Sequence, residues 1–346
     1  MSSEQVPSER LRRDIMKVAV VGLGYWCPNL VRNFSASDRV TEVLCCDLDA
    51  QRLKLLMTKF PHVHAVDSFK EVLTSDCDAI AIATPISQHY SMGMDVLRHG
   101  KHLLLEKPMA TTARECEELV RCGNDGGRVI MVDHTFLYTG AVRKMKEIVE
   151  RGDVGDIYYF DSVRVNLGLF QHDVNVIWDL APHDLSIMDF LLSKKPVAVS
   201  AVGVNHYNHM EDVAYLTVHF DGKMMGHVHV NWLAPVKIRR ILIGGSKKMI
   251  VYDDMEPSEK VKVYDSGVKV VTREGIYKTL VEYRTGDMFA PKLDQSEALG
   301  LVVDDFLDSI EFSRKPAVDG ETGLRIVRIL EAAELSVKKA GVMVYL

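Results

Sequence analysis

Lys107 is a residue whose neighbours suggest chemistry. It stands in LLLEKPMA, residues 103–110, after an apolar run and between Glu106 and Pro108. Proline fixes its own φ and restricts the preceding residue to extended backbone, so the chain constrains where the Lys107 side chain points. An ammonium group at the end of a buried strand can hold a substrate oxygen and stabilise negative charge on it. A solvated lysine at a strand end fits the same position.

A second set of candidate residues lies in VNVIWDLAPHDLSIMDFLL. Asn175, Asp179 and His183 recur every four residues, which places them along one edge of a helix. Pro182 predicts two helical pieces, with Pro182 in the first turn of the second. His183 would then lie near a helix N-terminus, where the dipole keeps the imidazole neutral and available as a base that Asp179 could orient. A capping Asp and a helix-start His are the alternative interpretation.

The elements that position these residues begin with alternating strands and helices. From Lys17 to about Val132, short apolar runs such as KVAVVG and DAIAIAT alternate with helical patterns. This alternation predicts βαβ units and a parallel sheet with helices on both faces. The expected fold class is α/β, with a doubly wound Rossmann domain over residues 15–134 after a flexible tail of residues 1–14.

A dinucleotide-binding loop follows the first predicted strand. In GLGYWC, Gly22 and Gly24 fill the first two glycine positions of the G-x-G-x-x-G pattern, which allow a tight turn and close approach of a pyrophosphate. Cys27 stands in the third position and is small enough to be tolerated there. Asp47 ends the second predicted strand, where an acid binds the ribose hydroxyls and repels a 2′-phosphate. The expected cofactor is therefore NAD, with NADP disfavoured.

A further candidate cofactor contact follows the fourth predicted strand, in ATPISQH. Thr84, Pro85 and His89 would lie at the carboxyl edge of the sheet, where open α/β folds bind ligands. Pro85 as a loop stop and His89 as a helix-start residue explain the stretch equally well.

The pattern changes after His134. A helix, a long strand and a helical segment are followed mainly by strands to about Val271, and two helical patterns close the chain. YLTVHF and GHVHVNW alternate apolar and polar residues, as strands buried on one face do. We expect residues 135–346 to form an α+β domain for substrate binding, with a large, mainly antiparallel open sheet whose free face could pair with another copy.

Charge and composition disfavour several classes of protein. Lys and Arg number 42 against 48 Asp and Glu, a net charge of −6, with no basic stripe for nucleic acid. No run approaches the roughly 20 apolar residues of a membrane span. Six cysteines lack CxxC pairs and His partners, so we expect reduced thiols in a cytoplasmic protein and no metal site.

GLGYW, ATPxxxH, EKPMA and DLAPHD, in this order and spacing, resemble the Gfo/Idh/MocA family of glucose-fructose oxidoreductase, inositol dehydrogenase and their relatives. The resemblance covers nearly the whole chain from Lys17. It implies that Lys107 is the catalytic lysine, His183 the acid/base histidine and Asp179 the acid one turn earlier. It implies cofactor contacts from the matching loop and strand-end residues, which are Tyr25, Trp26, Glu106 and Lys107. The implied chemistry is NAD(P)-dependent oxidation or reduction at a secondary carbon of a sugar or cyclitol, in a homodimer or homotetramer paired through the open sheet.

The stretch SVRVNLGLFQHDVN bears on the substrate. Strand alternation places Arg164 and Asn166 on one face, where Arg164 could bind a phosphate or carboxylate, or lie solvated on the sheet. The stretch resembles family members that act on nucleotide-linked sugars, for example by oxidising UDP-N-acetylglucosamine-type substrates at C3. That resemblance implies substrate contacts from Gln171 and Asn175 alongside Asp179 and His183.

Three alternatives to the oxidation of a nucleotide-linked sugar stay open. The first is oxidation of a free polyol such as an inositol, and the second is reduction of a 3-keto sugar by the same residues. The third is a non-catalytic regulator that senses NAD or a metabolite. The presence of both Lys107 and His183 argues against the regulator.

Overall fold

The first part of the chain folds as the predicted Rossmann domain. The computed structural model describes residues 15–168, 171, 173–271 and 280–346. The strands of the first sheet are β1 (Met16–Val21), β2 (Val40–Cys46), β3 (His64–Val66), β4 (Ala79–Ile82), β5 (His102–Glu106) and β6 (Ile130–Asp133). They are parallel and lie in the order β3-β2-β1-β4-β5-β6. The order reverses between β1 and β4, which opens a crevice at the carboxyl ends of these strands.

Five helices connect these strands. They are α1 (Cys27–Ala36), α2 (Ala50–Lys59), α3 (Phe69–Thr74), α4 (Ile86–Arg98) and α5 (Ala113–Gly126). Local signals fix where some of them begin: Asp49 accepts hydrogen bonds from the first backbone N–H groups of α2, and Thr112 forms a capping box with Glu115 at α5. Their apolar faces cover a sheet whose central strands are fully buried.

The second sheet is the expected large, mainly antiparallel one. Its strands are β7 (Ile157–Leu167), β8 (Pro196–Val204), β9 (Val213–Phe220), β10 (Met225–Asn231), β11 (Leu233–Gly245), β12 (Met249–Asp253), β13 (Val261–Val271), β14 (Leu280–Phe289) and β15 (Val344–Tyr345). Their order is β14-β13-β12-β11-β7-β10-β9-β8-β15, and β7 and β10 form the parallel pair. The predicted fold class is therefore confirmed.

The remaining helical elements lie on one side of this sheet, where α7 and α9 cover its face. They are a 3₁₀ turn (Thr135–Tyr138) and the helices α6 (Gly140–Glu150), α7 (Val176–Leu191), α8 (Ala298–Glu311) and α9 (Gly320–Lys338). α7 and α9 pack against β7, β8 and β10. Along β9 and β10, buried residues such as Leu216 and Val228 alternate with residues such as Tyr215 and His227 that face the uncovered side.

The last two helices also pack on the Rossmann domain. α8 lies against α1, and α9 lies against α5 and β6. Ion pairs fasten them there: the buried guanidinium of Arg39 bonds Asp304 at 2.7 Å and also Asp308, while Arg328 bonds Glu117 at 2.7 Å. The end of the chain therefore contacts both sheets.

Two expectations drawn from composition bear on the described residues. All six cysteines are free thiols, and five of them are buried. None of the helices in the described ranges combines the length and the apolar character that crossing a bilayer requires.

Candidate functional site

The crevice between β1 and β4 forms a large cleft. Its volume is about 1330 Å³, and its walls come from the loop after β1, the end of β2, the first turn of α2 and the start of α4. Gly22, Asp47, Thr84 and Pro85 lie in these walls. The predicted cofactor residues from three separate motifs are thus gathered in one place.

The two glycines after β1 have different reasons to be glycine. Gly22 has φ +89°, and a Cβ there would lie 2.8 Å from the Ala83 carbonyl group, so the turn excludes a side chain. A Cβ on Gly24 would meet no protein atom within 4 Å. Gly24 therefore borders open space beside the N-terminal end of α1, which fits a pyrophosphate. Tyr25 and Trp26 follow and are exposed, whereas Cys27 is buried, so a thiol fills the third position of the pattern.

Asp47 lies at the end of β2 facing the same cleft. Its carboxylate accepts hydrogen bonds from the backbone N–H of Leu23 at 2.5 Å and of Asp49 at 2.8 Å. Arg52 of α2 also lines the cleft, with Nη1 3.8 Å from Asp47 Oδ2. Arg52 was not predicted as a site residue, although an arginine soon after such an acid can accommodate a 2′-phosphate.

His89 is a buried link between two loops. Its Nδ1 lies 2.9 Å from the Pro108 carbonyl oxygen and its Nε2 lies 2.9 Å from the Thr84 carbonyl oxygen. Both ring nitrogens thus face carbonyl oxygens inside the protein, and burial lowers the pKa of the imidazole, whose neutral form donates to one of the two. His89 ties the end of β4 to the segment after Lys107, and its direct contact with a cofactor stays a prediction.

Lys107, which follows β5 of the first sheet, meets Asp179, which lies on the helix α7 that covers the second sheet. The Lys107 Nζ donates to the Asp179 backbone carbonyl at 2.9 Å and lies 3.6 Å from Asp179 Oδ1. The Trp232 indole N–H donates to Asp179 Oδ2 at 3.0 Å. Trp232, which no local sequence pattern marks as a site residue, therefore helps to fix the carboxylate beside Lys107.

The prediction that Pro182 divides the helical segment is wrong. α7 runs without interruption from Val176 to Leu191 with Pro182 inside it. A proline there removes the N–H that would bond the carbonyl of Trp178, and its ring crowds that carbonyl group. The Asp179 carbonyl lies in this turn and accepts a hydrogen bond from the Lys107 ammonium.

His183 consequently lies in mid-helix, and the helix dipole does not explain its state. Its pKa is lowered well below the ordinary value, first by burial and then by the positive charges of Lys107 and Arg164. The ring packs edge-on against Phe136, with centroids 5.1 Å apart. Nδ1 is buried and has no hydrogen-bond partner among the described residues. The imidazole is therefore neutral, although Asp179 bonds Lys107 and Trp232 instead of orienting it.

Arg164 lies beneath α7 instead of at an open ligand-binding face. Its Nε and Nη2 each donate to Asp184 at 2.9 Å, and both side chains are 3% exposed. The guanidinium also stacks on Phe136, 4.5 Å from the ring centroid. An internal carboxylate thus occupies the fork that we expected to bind substrate. Asp184, an acid within a largely apolar helix, was the missed signal for a buried partner.

The other predicted substrate residues are placed as follows. Asn175 caps α7 by accepting from the N–H of Ile177 and Trp178, while its amide donates to Glu211 at 2.7 Å. Asn166 is half-buried near Gly168, and Gln171 is exposed. Their contacts with a substrate stay predictions.

Two further polar groups lie close to Lys107. Asp133 ends β6 and His134 follows it, and both are 1% exposed. Neither ring nitrogen of His134 has a hydrogen-bond partner in the described part of the chain, and burial lowers the pKa of His134 to about 3. Across the described ranges, no group of three or more His, Cys, Asp or Glu residues could hold a metal ion.

Comparisons with known proteins find similar chains for both parts of the fold. Residues 16–134 match a family model described as an oxidoreductase family with an NAD-binding Rossmann fold, and residues 142–251 match the GFO/IDH/MocA C-terminal domain. The UDP-N-acetylglucosamine 3-dehydrogenase of Acidithiobacillus ferrooxidans is 25% identical, over 94% of this chain and 97% of that protein. The scyllo-inositol 2-dehydrogenase (NADP(+)) IolW of Bacillus subtilis is 24% identical, over 96% and 97%. The structure of GenD2 from gentamicin A biosynthesis, in complex with NAD, aligns with a TM-score of 0.81 at 19% identity and covers 99% of both chains.

Proposed function

Because the chain belongs to the Gfo/Idh/MocA oxidoreductase family, we propose that it transfers a hydride between NAD and a secondary carbon of a sugar, most specifically a nucleotide-linked sugar. The observation that carries the proposal is the meeting of Lys107 with Asp179 on α7, one turn before His183. One cation, one carboxylate and one neutral base are thereby gathered beside the dinucleotide cleft.

His183, Lys107 and Asp179 have separate roles in the oxidation of an alcohol. His183, held neutral by its surroundings, takes the proton of the substrate hydroxyl. Lys107 donates a hydrogen bond to the same oxygen and stabilises the negative charge that develops there. Asp179, fixed by Trp232, keeps the lysine in place. The nicotinamide, when bound, accepts or supplies the hydride. The same groups serve reduction in reverse.

NAD is the proposed cofactor, and the observation in its favour is Asp47 at the end of β2. Its carboxylate faces the cleft and would repel a 2′-phosphate. Arg52 favours the second candidate, NADP, because its guanidinium lies in the same wall and is half-exposed. Asp47 and Arg52 thus favour different dinucleotides, and the measured affinities for NAD and NADP decide between them.

A nucleotide-linked sugar is the proposed substrate because of the relative that acts on UDP-N-acetylglucosamine, which aligns over nearly the full length of both proteins. The inositol dehydrogenase relative has similar identity and coverage, so a free polyol is the second candidate. Reduction of a 3-keto sugar is the same chemistry in the other direction. We propose Asn166 and Gln171 as substrate contacts, and Arg164 as a residue that positions Phe136 and α7.

We also propose that the open face of the nine-stranded sheet pairs with a second copy of the chain. Large apolar side chains stand exposed on neighbouring strands of that face, namely Tyr159, Val202, Tyr215 and Met225. Tyr215 stacks on His229, with ring centroids 4.3 Å apart, which makes a flat aromatic surface. Exposed apolar groups gathered on one face are typical of an interface between proteins.

The test is a panel of UDP- and dTDP-sugars, free hexoses and inositols, each mixed with purified protein and NAD or NADP while formation of the reduced cofactor is followed. We expect signal with a nucleotide sugar and NAD. Lys107→Met should lower turnover at least ~10²-fold, the scale of losing a donor to developing charge, and leave NADH affinity within about threefold.

The matched control is Lys315→Met, which removes an exposed lysine outside the site and should leave turnover unchanged. Unchanged turnover in Lys107→Met would refute the role of the lysine. Tight NADH binding without turnover across the panel, in both directions, would favour the regulator.

A further inference from the structure

Two carboxyl groups, each with a buried oxygen, lie directly beside Lys107. Glu106 and Asp133 end the neighbouring strands β5 and β6 and are partners in the register of the sheet. Register partners on parallel strands are about 4.8 Å apart and point to the same face. Asp133 is 1% exposed. The two carboxyl groups therefore share one small space at the carboxyl edge of the sheet.

Their hydrogen bonds leave one oxygen of each without a donor. The backbone N–H of Lys107 donates to Glu106 Oε2 at 3.2 Å, and Thr135 Oγ1 donates to Asp133 Oδ1 at 2.8 Å. Glu106 Oε1 and Asp133 Oδ2 are buried and have no partner in the described part of the chain. Ionised carboxylates can only accept hydrogen bonds, so a single proton between these two oxygens satisfies both.

The surroundings decide which group carries the proton. Burial, together with the negative charge of Asp133, raises the pKa of Glu106 well above its usual range. Burial also raises the pKa of Asp133, but hydrogen bonds from the hydroxyl of Thr135 and from the carboxyl group of Glu106 stabilise its charged form. Glu106 is therefore the neutral acid and Asp133 the carboxylate.

The pair thus adds one negative charge to the site. The nearby ion pairs cancel internally, since Lys107 faces Asp179 and Arg164 faces Asp184. His183 is neutral. Lys107 attracts both carboxyl groups of the pair, but Asp179 already offsets its charge, as Asp254 offsets that of Arg239 near His183.

We propose that the Glu106–Asp133 pair, which holds one proton and one negative charge, is the counter-charge of the oxidised nicotinamide and makes the site bind NAD⁺ in preference to NADH. The inference rests on the proposed function, in which Lys107 bonds the substrate oxygen, so that a nicotinamide exchanging hydride with the adjoining carbon would lie beside Lys107. The ring is cationic in NAD⁺ and neutral in NADH, so a fixed negative charge stabilises only the oxidised form. In partly buried surroundings, this attraction changes the ratio of the two affinities by roughly tenfold or more.

Three variants separate the charge from the shape of the pair. In Glu106→Gln the amide N–H replaces the shared proton and Asp133 keeps its charge. In Asp133→Asn the amide donates to Glu106, which then ionises. Each single variant therefore keeps one negative charge, and the double variant Glu106→Gln/Asp133→Asn has none. The dissociation constants of NADH and NAD⁺ are measured on the full chain, by cofactor fluorescence and by competition with NADH.

We expect each single variant to keep the wild-type ratio of the two constants within about threefold, and the double variant to lose at least about tenfold of the preference for NAD⁺. Infrared difference spectra between the wild type and each single variant provide a second measurement that does not need the double variant to fold. At pH 8 the wild type should show the band of a protonated carboxyl group, and both single variants should lack it.

A folded double variant with the wild-type ratio, or a wild type without that band, would overturn the counter-charge while leaving the proposed function intact. A wild type that binds neither NAD⁺ nor NADH would overturn both.

Discussion

The buried ion pair of Arg164 and Asp184 allows a prediction that needs no knowledge of the substrate. Arg164→Met would leave the Asp184 carboxylate, 3% exposed, without its two hydrogen bonds at 2.9 Å. Removing one partner of a buried pair costs about 3–5 kcal/mol. Loss of the guanidinium stacked on Phe136 adds about 1 kcal/mol. The expected loss of unfolding free energy is therefore at least ~4 kcal/mol.

Scanning calorimetry converts this loss into a temperature. For a domain of about 200 residues, each kcal/mol shifts Tm by roughly 2–4 °C, so Arg164→Met should lower Tm by roughly 8–16 °C. The double variant Arg164→Met/Asp184→Leu removes both charges and should return to within about 2 kcal/mol of the wild type, because a buried pair replaced by apolar groups is often neutral. Arg151→Met, which breaks an exposed pair with Glu147, is the control and should cost less than about 1 kcal/mol.

Two results would refute this reasoning. One is a fall of less than about 4 °C in Arg164→Met, and the other is a double variant as unstable as the single one. The double variant also tests the link to the site, because Phe136 lies between Arg164 and His183. We expect its turnover to stay below that of the wild type even where its stability returns, since Phe136 has lost the cation on one of its faces.

Three further predictions concern the cofactor, the pH dependence of stability and the assembly. Asp47→Ala should weaken NAD more than NADP, and Arg52→Ala should do the reverse; titrations with both dinucleotides check this, and equal losses in Asp47→Ala would remove the basis for preferring NAD. His134 has a pKa of about 3 when folded and about 6.5 when unfolded, so the unfolded state takes up its proton first as pH falls. The free energy of unfolding that neutral His134 contributes should fall by about 1.4 kcal/mol for each pH unit below pH 6.5, down to its folded pKa of about 3. Unfolding curves of His134→Asn should show a correspondingly smaller dependence on pH. Tyr215→Asp on the open sheet face should lower the mass measured by sedimentation equilibrium, while Leu55→Asp, an exposed leucine on α2, should not; an unchanged mass in both would contradict pairing through that face.

The sequence predicted the sheets and the cleft because local patterns determine them. Apolar runs alternating with helical periods indicate parallel strands, and the position of a strand end determines which residues reach the carboxyl edge. Gly22, Asp47 and Lys107 could each be placed in this way. The cap at Asn175 was also within reach, since an Asn before an apolar helical run is a common helix start.

What could not be predicted depends on contacts distant in the sequence. Alternation places Arg164 on one face of β7, but it does not predict that Asp184, twenty residues later, lies on the covered side and binds Arg164. The general cost of proline in a helix predicted a break at Pro182. The helix continues because it is buried along most of its length, and packing outweighs the lost hydrogen bond. The Glu106–Asp133 pair depends on the register of β5 and β6, which no local signal encodes.

The packing of α8 and α9 on the Rossmann domain has a consequence for building hybrid enzymes. A hybrid that exchanges the cofactor-binding part of the chain at residue 134 would separate Arg39 from Asp304 and Asp308, and Glu117 from Arg328. It would leave a buried arginine in the new half without its carboxylates. A transferable cofactor module is therefore discontinuous: it consists of residues 15–134 together with the surfaces of α8 and α9 that lie on them.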